Sequence, residues 1–352
     1  FDAIRFWLRR GLDGFRVDVI DRILKDEQLR DNPPDPNWRE GDSPHWRYRR
    51  VYSEGHPDLS DYMRRFRAVF DEFPDKVIVG EIQYDLTPEQ VIPFYGDERN
   101  GAGDGLHLPF NFGLITRLWD AEIIRDFVNE YEGLLPAYAW PNYVLGNHDV
   151  PRLASRVGGA QARVAALMLL SLRGTPTLYY GDELGMPNIP VPEDRMQDPQ
   201  GRNGAGFNRD EVRAPMPWDN SPNTGFSPDG VETWLPTVTD PAISVAAQRD
   251  APDSMLSLYR RLLAYRRETP ALTQGSYQHV ADVLAGCFAY VRQDGVQRRL
   301  VLLNFLGTAR QISLGEFGSG RIGISTRHDR DGLAVDLSGF ELLPDEGVII
   351  EL

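Results

Sequence analysis

The 352-residue sequence predicts an α/β fold over residues 1–269, followed by an antiparallel all-β domain over residues 270–352. Up to about residue 270, short apolar runs alternate with helical patterns, which is typical of a parallel sheet covered by helices. After Thr269-Pro270 the pattern becomes apolar alternation without helices, which indicates paired antiparallel strands. The length also favours two domains, because single cores stop growing near about 250–300 residues.

The elements of the first region follow one another as strands and helices in turn. The predicted strands are 14–18, 77–81, 106–112, 143–147 and 175–180, and the predicted helices are 1–10, 59–73, 114–132, 160–172 and 253–268. Such units fit part of a (β/α)8 TIM barrel, whose active sites lie at the carboxyl ends of the strands. A doubly wound sheet is the alternative architecture, but no G-x-G-x-x-G opens a helix in this sequence.

The rest of the chain divides into a long irregular stretch and the all-β domain. Residues 181–251 are rich in Pro, Gly, Asn and Asp, and irregular stretches of that length are usually functional or disordered. The C-terminal strands are predicted at 287–291, 300–305 and 347–351, in a β-sandwich of about 80 residues.

The composition excludes several classes of function. A formal net charge of −14 disfavours nucleic-acid binding, because proteins that bind nucleic acids carry an excess of basic residues. Apolar runs stay shorter than the roughly 18 residues that a membrane helix needs, so we expect no membrane partner. The single cysteine, Cys287, lies in an apolar setting and is expected to fill the core. No signal peptide is visible, so we expect a cytoplasmic location.

Three acidic residues end three separate predicted strands: Asp18, Glu81 and Asp149. Any one of them alone would most simply cap the following helix. Three of them at strand ends of one barrel favour a site at its mouth. A pair of carboxyl groups about 5 Å apart is what retaining glycoside hydrolysis requires.

The neighbours of two of these acids predict different protonation states. Arg16 precedes Asp18 by two residues, so both side chains lie on one face of the strand, and the guanidinium lowers the pKa of the carboxylate. Glu81 follows an apolar run with no base adjacent in sequence, so burial should raise its pKa, as a general acid requires.

Five segments resemble the alpha-amylase family of glycoside hydrolases (family 13). Residues 14–20 (GFRVDVI), 79–81 (VGE) and 146–152 (GNHDVPR) resemble its second, third and fourth motifs. Residues 174–185 (GTPTLYYGDELG) resemble its eighth strand, and residues 208–219 (NRDEVRAPMPWD) a segment of its alpha-glucosidase and oligo-1,6-glucosidase branch. The resemblance therefore extends over nearly the whole chain.

The resemblance implies a role for each motif residue. Asp18 corresponds to the nucleophile, Glu81 to the acid/base, and Asp149 to a third carboxylate that binds sugar hydroxyls. Arg16 is expected to orient Asp18, and His148 to hydrogen-bond hydroxyls of the terminal sugar.

The other substrate contacts are less specific. Arg209 or Arg213 is expected to close the glucose pocket, with a structural salt bridge as the alternative. Phe112 and Phe110 are expected to form a platform for a sugar face, with core packing as the alternative. Val19 follows the nucleophile, and valine there is associated in the family with oligo-1,6-glucosidases. This preference is weak, because one methyl group discriminates by only about 1–3 kcal/mol.

The family's first motif, an Asn-His pair with an upstream Asp, is expected before Asp18 and is not found. The resemblance therefore implies barrel strands 4–8 only, without the domain inserted after the third strand. We expect the N-terminal remainder of the barrel to be needed for activity, because open sheet edges and an open core are not viable alone. The reaction should require no cofactor, and the resemblance would place any structural Ca²⁺ in that remainder.

The resulting functional prediction is a retaining alpha-glucosidase, which releases terminal glucose from short oligosaccharides through a covalent glucosyl-enzyme intermediate. A transglucosylase or isomerase, of the trehalose synthase or sucrose isomerase type, is the first alternative. A stretch of the Arg-Leu-Asp-Arg-Asp type is not present, which counts against a sucrose isomerase. A non-catalytic relative, as in the heavy subunits of amino-acid transporters, is the second alternative.

Overall fold

The computed structural model describes residues 1–42, 46–201, 208–281 and 283–352. These residues form two compact units. The first unit comprises Phe1–Thr116 and Glu130–Tyr143, and the second comprises Arg117–Asn129 and Val144–Leu352. The boundaries of these units do not coincide with residue 270, so the expected division there remains a prediction.

The secondary structure follows the alternating pattern of the sequence. The α-helices of the described residues are α1 (Asp2–Arg9), α2 (Leu59–Phe70), α3 (Pro88–Val91), α4 (Gly113–Thr116), α5 (Ala121–Leu134), α6 (Leu153–Val157), α7 (Gly159–Ser171), α8 (Val245–Gln248), α9 (Met255–Glu268) and α10 (Pro270–Thr273). The strands are β1 (Gly14–Val17), β2 (Val77–Gly80), β3 (Glu98–Arg99), β4 (Ala102–Gly103), β5 (Leu108–Pro109), β6 (Ser276–His279), β7 (Cys287–Asp294), β8 (Gln297–Asn304), β9 (Arg310–Ile312), β10 (Ser319–Ser325), β11 (Ala334–Asp336), β12 (Phe340–Leu342) and β13 (Gly347–Glu351).

The first unit is built on a parallel sheet with the strand order β1-β2-β5. Val17 pairs with Gly80, so the carboxyl ends of β1 and β2 lie side by side. A Cβ at Gly14 would lie 2.1 Å from the backbone oxygen of Val77, so the close approach of β1 and β2 at this pair requires glycine. The register places the residues that follow β1 and β2 next to each other.

The predicted strands agree with the structure in part. The strands at 14–18 and 77–81 are confirmed to within one residue, and the third is reduced to Leu108–Pro109. The strands predicted at 143–147 and 175–180 are wrong as strands, because they hold only isolated parallel bridges, Asn111 to Tyr143 and Val144 to Thr177. Pro109 and Pro176 lack the amide hydrogen that a longer ladder would use.

The helix predicted over 114–132 is two helices, α4 and α5. Asp120 lies between them, and its Oδ1 accepts a hydrogen bond of 3.0 Å from the backbone N–H of Ile123. This is the geometry of an N-cap, which starts a new helix. The prediction of one continuous helix was therefore wrong at this position.

Helix α7 is the apolar centre of the second unit, and nearly all its residues from 161 onwards are buried. Two buried arginines bind the carbonyl groups at its C-terminal end. Arg266 donates to the carbonyl of Leu170 at 2.8 Å, and Arg292 donates to that of Ser171 at 2.6 Å. These contacts connect α7 to α9 and to β7.

The C-terminal region has the antiparallel β architecture that the sequence predicts. A six-stranded sheet has the order β11-β10-β13-β8-β7-β6, and β12 pairs with β9 in a second sheet. Residues from both sheets share one apolar core, as a sandwich requires. Cys287 is 1% exposed in this core, and burial raises the pKa of its thiol to about 11. Its expected place in the core is confirmed.

The described part of the irregular stretch 181–251 has an apolar core of its own. Leu184, Met186, Ala214 and Leu235 are buried together there. Short 3-10 helices, including Asp182–Leu184 and Asp210–Val212, interrupt the stretch. No described helix has both the length and the apolar character of a membrane span.

Candidate active site

Asp18 and Glu81 immediately follow β1 and β2. The backbone N–H of Glu81 donates to the carbonyl of Val17 at 2.9 Å, and the N–H of Ile20 donates to the carbonyl of Glu81 at 2.9 Å. The parallel ladder thus continues one step beyond the strands and holds the two acids together. This convergence was expected from the strand-end positions of the two residues.

Arg16 contacts both of these carboxylates. Its Nη1 donates to Asp18 Oδ1, and its Nη2 donates to Glu81 Oε2 at 2.5 Å. The contact with Asp18 is the one that the sequence predicts. The contact with Glu81 was not predicted, because it depends on the register in which Arg16 pairs with Val79.

Glu81 has the environment of a carboxylic acid that retains its proton. Its side chain is 7% exposed, and burial is the main reason why its pKa is raised above the ordinary value of 4.5. The protonated form also donates a hydrogen bond to Asp18, which raises the pKa further, whereas the charge of Arg16 opposes the rise. The direction agrees with the expectation from sequence.

Asp18 has a contrasting environment, because its side chain is 73% exposed. The predicted spacing of about 5 Å between its carboxyl group and that of Glu81, which double displacement uses, stays a prediction.

Val19 has a left-handed backbone conformation, with φ 34° and ψ 58°. A β-branched residue is rarely found there, and such strain costs on the order of 1–3 kcal/mol. In this conformation the N–H of Val19 donates to Glu81 Oε2 at 3.3 Å. No feature of the sequence indicates this strained residue between the nucleophile candidate and the 3-10 helix that follows.

The aromatic residues near these strands are packed. The ring of Phe112 stacks on Tyr84 with centroids 4.3 Å apart and on Phe110 with centroids 5.4 Å apart. Phe112 is only 4% exposed. The structure therefore favours the core-packing alternative for Phe112 over an open platform for a sugar.

A second polar cluster, which the sequence did not predict, is centred on Gln83 and Glu54. The amide of Gln83 donates to Asp21 at 2.7 Å and to Glu54 at 2.9 Å. Glu54 also pairs with Arg22 and Arg50, at 2.7 and 2.5 Å. Asp21 is 3% exposed, and burial raises its pKa. These contacts fix the segments that follow Asp18 and Glu81.

Asp149, in the second unit, is held by both candidate arginines. Arg209 Nη1 lies 2.8 Å and Arg213 Nη2 lies 3.0 Å from Asp149 Oδ1. Arg213 also donates to the carbonyl of His148 at 2.9 Å, and His148 Nε2 lies 3.4 Å from Asp149 Oδ2. The sequence could not choose between the two arginines, and in the structure both contact Asp149.

Asp198 is a further residue of this cluster, and the sequence analysis did not identify it. Its side chain is fully buried and forms a two-bond ion pair with Arg209, with both contacts at 2.8 Å. These hydrogen bonds hold the pKa of Asp198 far below its usual range. An acid in a Pro- and Gly-rich segment before Arg209 is too weak a sequence signal to predict this pair.

The candidate residues are thus collected in two groups. Arg16, Asp18, Val19 and Glu81 are together in the first unit, which also contains Phe112. His148, Asp149 and Arg209 are together in the second. The convergence of all three acids at one barrel mouth remains a prediction.

Among the described residues, no group of three or more His, Cys, Asp or Glu side chains could hold a metal ion.

Comparison with known proteins gives a family match over most of the chain. The family described as "Alpha amylase, catalytic domain" matches residues 1–275. The structure is similar to that of the alpha-glucosyl transfer enzyme XgtA, with a TM-score of 0.86 and 31% sequence identity. That alignment covers 99% of this chain and 66% of the other. Solved relatives of this kind have a TIM barrel with a C-terminal β domain.

Two curated proteins are also similar in sequence. A probable alpha-glucosidase from Rhizobium meliloti (strain 1021) is 34% identical over 322 residues, which is 85% of this chain and 56% of that protein. The human amino acid transporter heavy chain SLC3A1 is 30% identical over 371 residues, 99% of this chain and 51% of that protein. The chain therefore spans little more than half the length of these two relatives.

Proposed function

Because this chain belongs to the alpha-amylase family of glycoside hydrolases, we propose that it carries the catalytic acids of a retaining alpha-glucosidase. The proposed substrates are short oligosaccharides with a terminal alpha-linked glucose. The observation that carries the proposal is that Arg16 binds both exposed Asp18 and buried Glu81, which lie at neighbouring strand ends.

In the first step, Glu81 gives its proton to the glycosidic oxygen while Asp18 attacks the anomeric carbon. The bond from that carbon to the leaving oxygen breaks, and an ester bond to an Asp18 carboxylate oxygen forms. The raised pKa of Glu81 keeps the proton for this transfer on Glu81 to a higher pH than on an ordinary carboxyl group. The guanidinium of Arg16 stabilises the charge of Asp18 before attack.

In the second step, the ionised Glu81 removes a proton from a water molecule, and the water oxygen attacks the anomeric carbon. The ester bond to Asp18 breaks, which regenerates its carboxylate and leaves Glu81 protonated. Two inversions at one carbon release glucose with the alpha configuration retained.

The cluster around Asp149 supplies a binding role in the same proposal. Asp149 Oδ1 is occupied by Arg209 and Arg213, whereas Oδ2 lies beside His148. Oδ2 and His148 are therefore the groups proposed to bind the hydroxyls of the terminal glucose. Arg209 acts by orienting Asp149, and Val19 gives a weak preference for alpha-1,6 linkages.

A second candidate is transfer of the glucosyl group to another sugar instead of water. The similarity to a structure described as an alpha-glucosyl transfer enzyme favours this candidate. Both reactions share the intermediate on Asp18, so analysis of the products at high substrate concentration separates them. A non-catalytic protein, suggested by the similarity to a transporter heavy chain, is disfavoured because the acids of the family motifs are present.

The proposal is tested by Asp18→Asn in the full-length protein. Hydrolysis of a short alpha-glucoside should fall by at least about 10⁴-fold, as on loss of a nucleophile. Asp13→Asn is the matched control, because Asp13 lies just before β1 and its side chain is 95% exposed. Turnover retained by Asp18→Asn would end the proposal.

Two further expectations remain predictions. Double displacement by two carboxyl groups needs no cofactor, so dialysis against a chelator should leave the turnover number of the full-length enzyme that stays folded unchanged. The expected cytoplasmic location is tested by fractionation of the source cells.

A further inference from the structure

Asp198 is a carboxylate that the proposed mechanism does not use, yet it is fully buried. A buried charge is tolerated only when it is paired and hydrogen-bonded. Asp198 accepts two hydrogen bonds from the Arg209 side chain, at 2.8 Å each. It also accepts from the backbone N–H of Arg209 at 2.9 Å and of Gln200 at 3.2 Å. The described hydrogen bonds to the Asp198 carboxylate therefore come from the Arg209 side chain and from nearby backbone N–H groups.

The backbone of Asp198 is itself held in place. The carboxylate of Asp210 accepts hydrogen bonds from the N–H groups of Gln197 at 2.6 Å and Asp198 at 2.9 Å. Asp210 is 1% exposed. Two buried acids therefore tie the segment around residue 198 to the segment around residue 210.

The pair with Asp198 fixes the direction of the remaining donor of Arg209. A two-bond contact between a guanidinium and a carboxylate holds both groups in one plane. Nε and Nη2 of Arg209 are used by Asp198, and Nη1 then reaches Asp149 Oδ1 at 2.8 Å. Arg209 is partly exposed, at 27%, so without Asp198 its side chain could turn towards solvent.

We propose that Asp198 is a positioning residue, which holds Arg209 so that Arg209 binds Asp149 Oδ1 and leaves Oδ2 for the substrate. This inference rests on the proposed function of Asp149. Asp198 does not touch the sugar, and it acts through Arg209 alone.

The test is Asp198→Asn in the full-length enzyme, with Asp194→Asn as the matched control. Asp194 lies in the same segment and is exposed. The inhibition constant of free glucose and the KM for a short alpha-glucoside should both rise by about tenfold or more, as on loss of a charged hydrogen bond. Neither constant depends on the fraction of active enzyme, so partial misfolding does not imitate the effect.

A double-mutant cycle with Arg209→Gln separates positioning from general stability. If Asp198 acts through Arg209, then Asp198→Asn should add nothing to the glucose inhibition constant of Arg209→Gln. Additive effects in the double variant, or a wild-type glucose inhibition constant in Asp198→Asn, would overturn the inference.

Arg209→Lys replaces the first variant if Asp198→Asn does not fold. It keeps the positive charge, but one ammonium group cannot bind Asp198 with two bonds and also reach Asp149. A weakened binding of glucose supports the inference, and wild-type binding contradicts it. If the wild-type enzyme turns over no alpha-glucoside, the proposed function is wrong. If the wild-type enzyme is active and the Asp198 and Arg209 variants bind glucose equally well, only the positioning role is wrong.

Discussion

Arg16 donates a hydrogen bond to Glu81 across two neighbouring parallel strands, with Nη2 2.5 Å from Oε2. The same guanidinium binds Asp18. One cation therefore serves both acids of the candidate site, although their roles require opposite protonation states. Burial and the hydrogen bond from Glu81 to Asp18 outweigh the charge of Arg16 in setting the direction of the Glu81 pKa.

The first prediction concerns the alkaline side of the pH profile. Glu81 must be protonated to act as the general acid, so kcat/KM should fall as pH rises through its pKa. Because that pKa is raised above 4.5, the alkaline limb should lie above pH 4.5. Glu81→Gln, assayed on an aryl glucoside whose leaving group needs no proton, should lack this limb. A limb that persists in the variant would contradict the assignment.

The second prediction concerns Arg16→Gln. Removal of the guanidinium removes the charge that lowers the pKa of Glu81, so the alkaline limb should move to higher pH. Turnover should also fall, by about 10²-fold or more, because Asp18 loses its counter-charge. Arg9→Gln in the exposed end of α1 is the control. An unmoved limb in Arg16→Gln would show that Arg16 does not act on Glu81.

The third prediction concerns stability at the end of α7. Arg266 is 8% exposed and donates to the carbonyls of Leu170 and Gly174. Arg266→Met should lower the free energy of unfolding by several kcal/mol, at about 1–3 kcal/mol for each buried carbonyl left unpaired. Arg267→Met is the control, because the neighbouring Arg267 is 79% exposed. Denaturant unfolding that gives equal values for both variants would contradict this account.

The fourth prediction concerns the pH dependence of stability at Asp182. Burial raises its pKa from 3.8 to about 7, and among the described contacts its Oδ1 has no hydrogen-bond partner. Between these values the unfolded chain is ionised at this residue while the native state keeps its proton. The free energy of unfolding therefore decreases as pH rises towards 7, by on the order of 1.4 kcal/mol per pH unit.

Asp182→Asn should remove this decrease, so the variant should gain stability relative to the wild type from pH 4 to pH 7. Thermal unfolding at several pH values measures the difference, with the exposed Asp229→Asn as the control. Parallel stability curves for wild type and Asp182→Asn would show that Asp182 does not retain its proton in the native state.

The sequence predicted the parts of the site that depend on local pattern. Asp18 and Glu81 end apolar runs, and parallel pairing necessarily places such ends at one edge of a sheet. The hydrogen bond from Arg16 to Glu81 depends on the register between β1 and β2, and a single sequence does not show that register. The left-handed conformation of Val19 was equally hidden, because valine disfavours it.

The contacts around Asp149 were also only partly predictable from the sequence. The 208–219 segment indicated that one arginine binds near the site, but Arg209 and Arg213 are four residues apart and chemically alike. Only the fold shows that both contact Asp149, and that the buried Asp198 holds one of them. Pairings over such distances in an irregular stretch follow no periodicity that a sequence reveals.

The proposed mechanism depends on double displacement by Asp18 and Glu81. It is tested by proton NMR of the first glucose that the full-length enzyme releases from an alpha-glucoside, recorded before mutarotation. We expect the alpha anomer to appear first and to convert slowly to the beta anomer. Initial release of the beta anomer would contradict a covalent intermediate on Asp18.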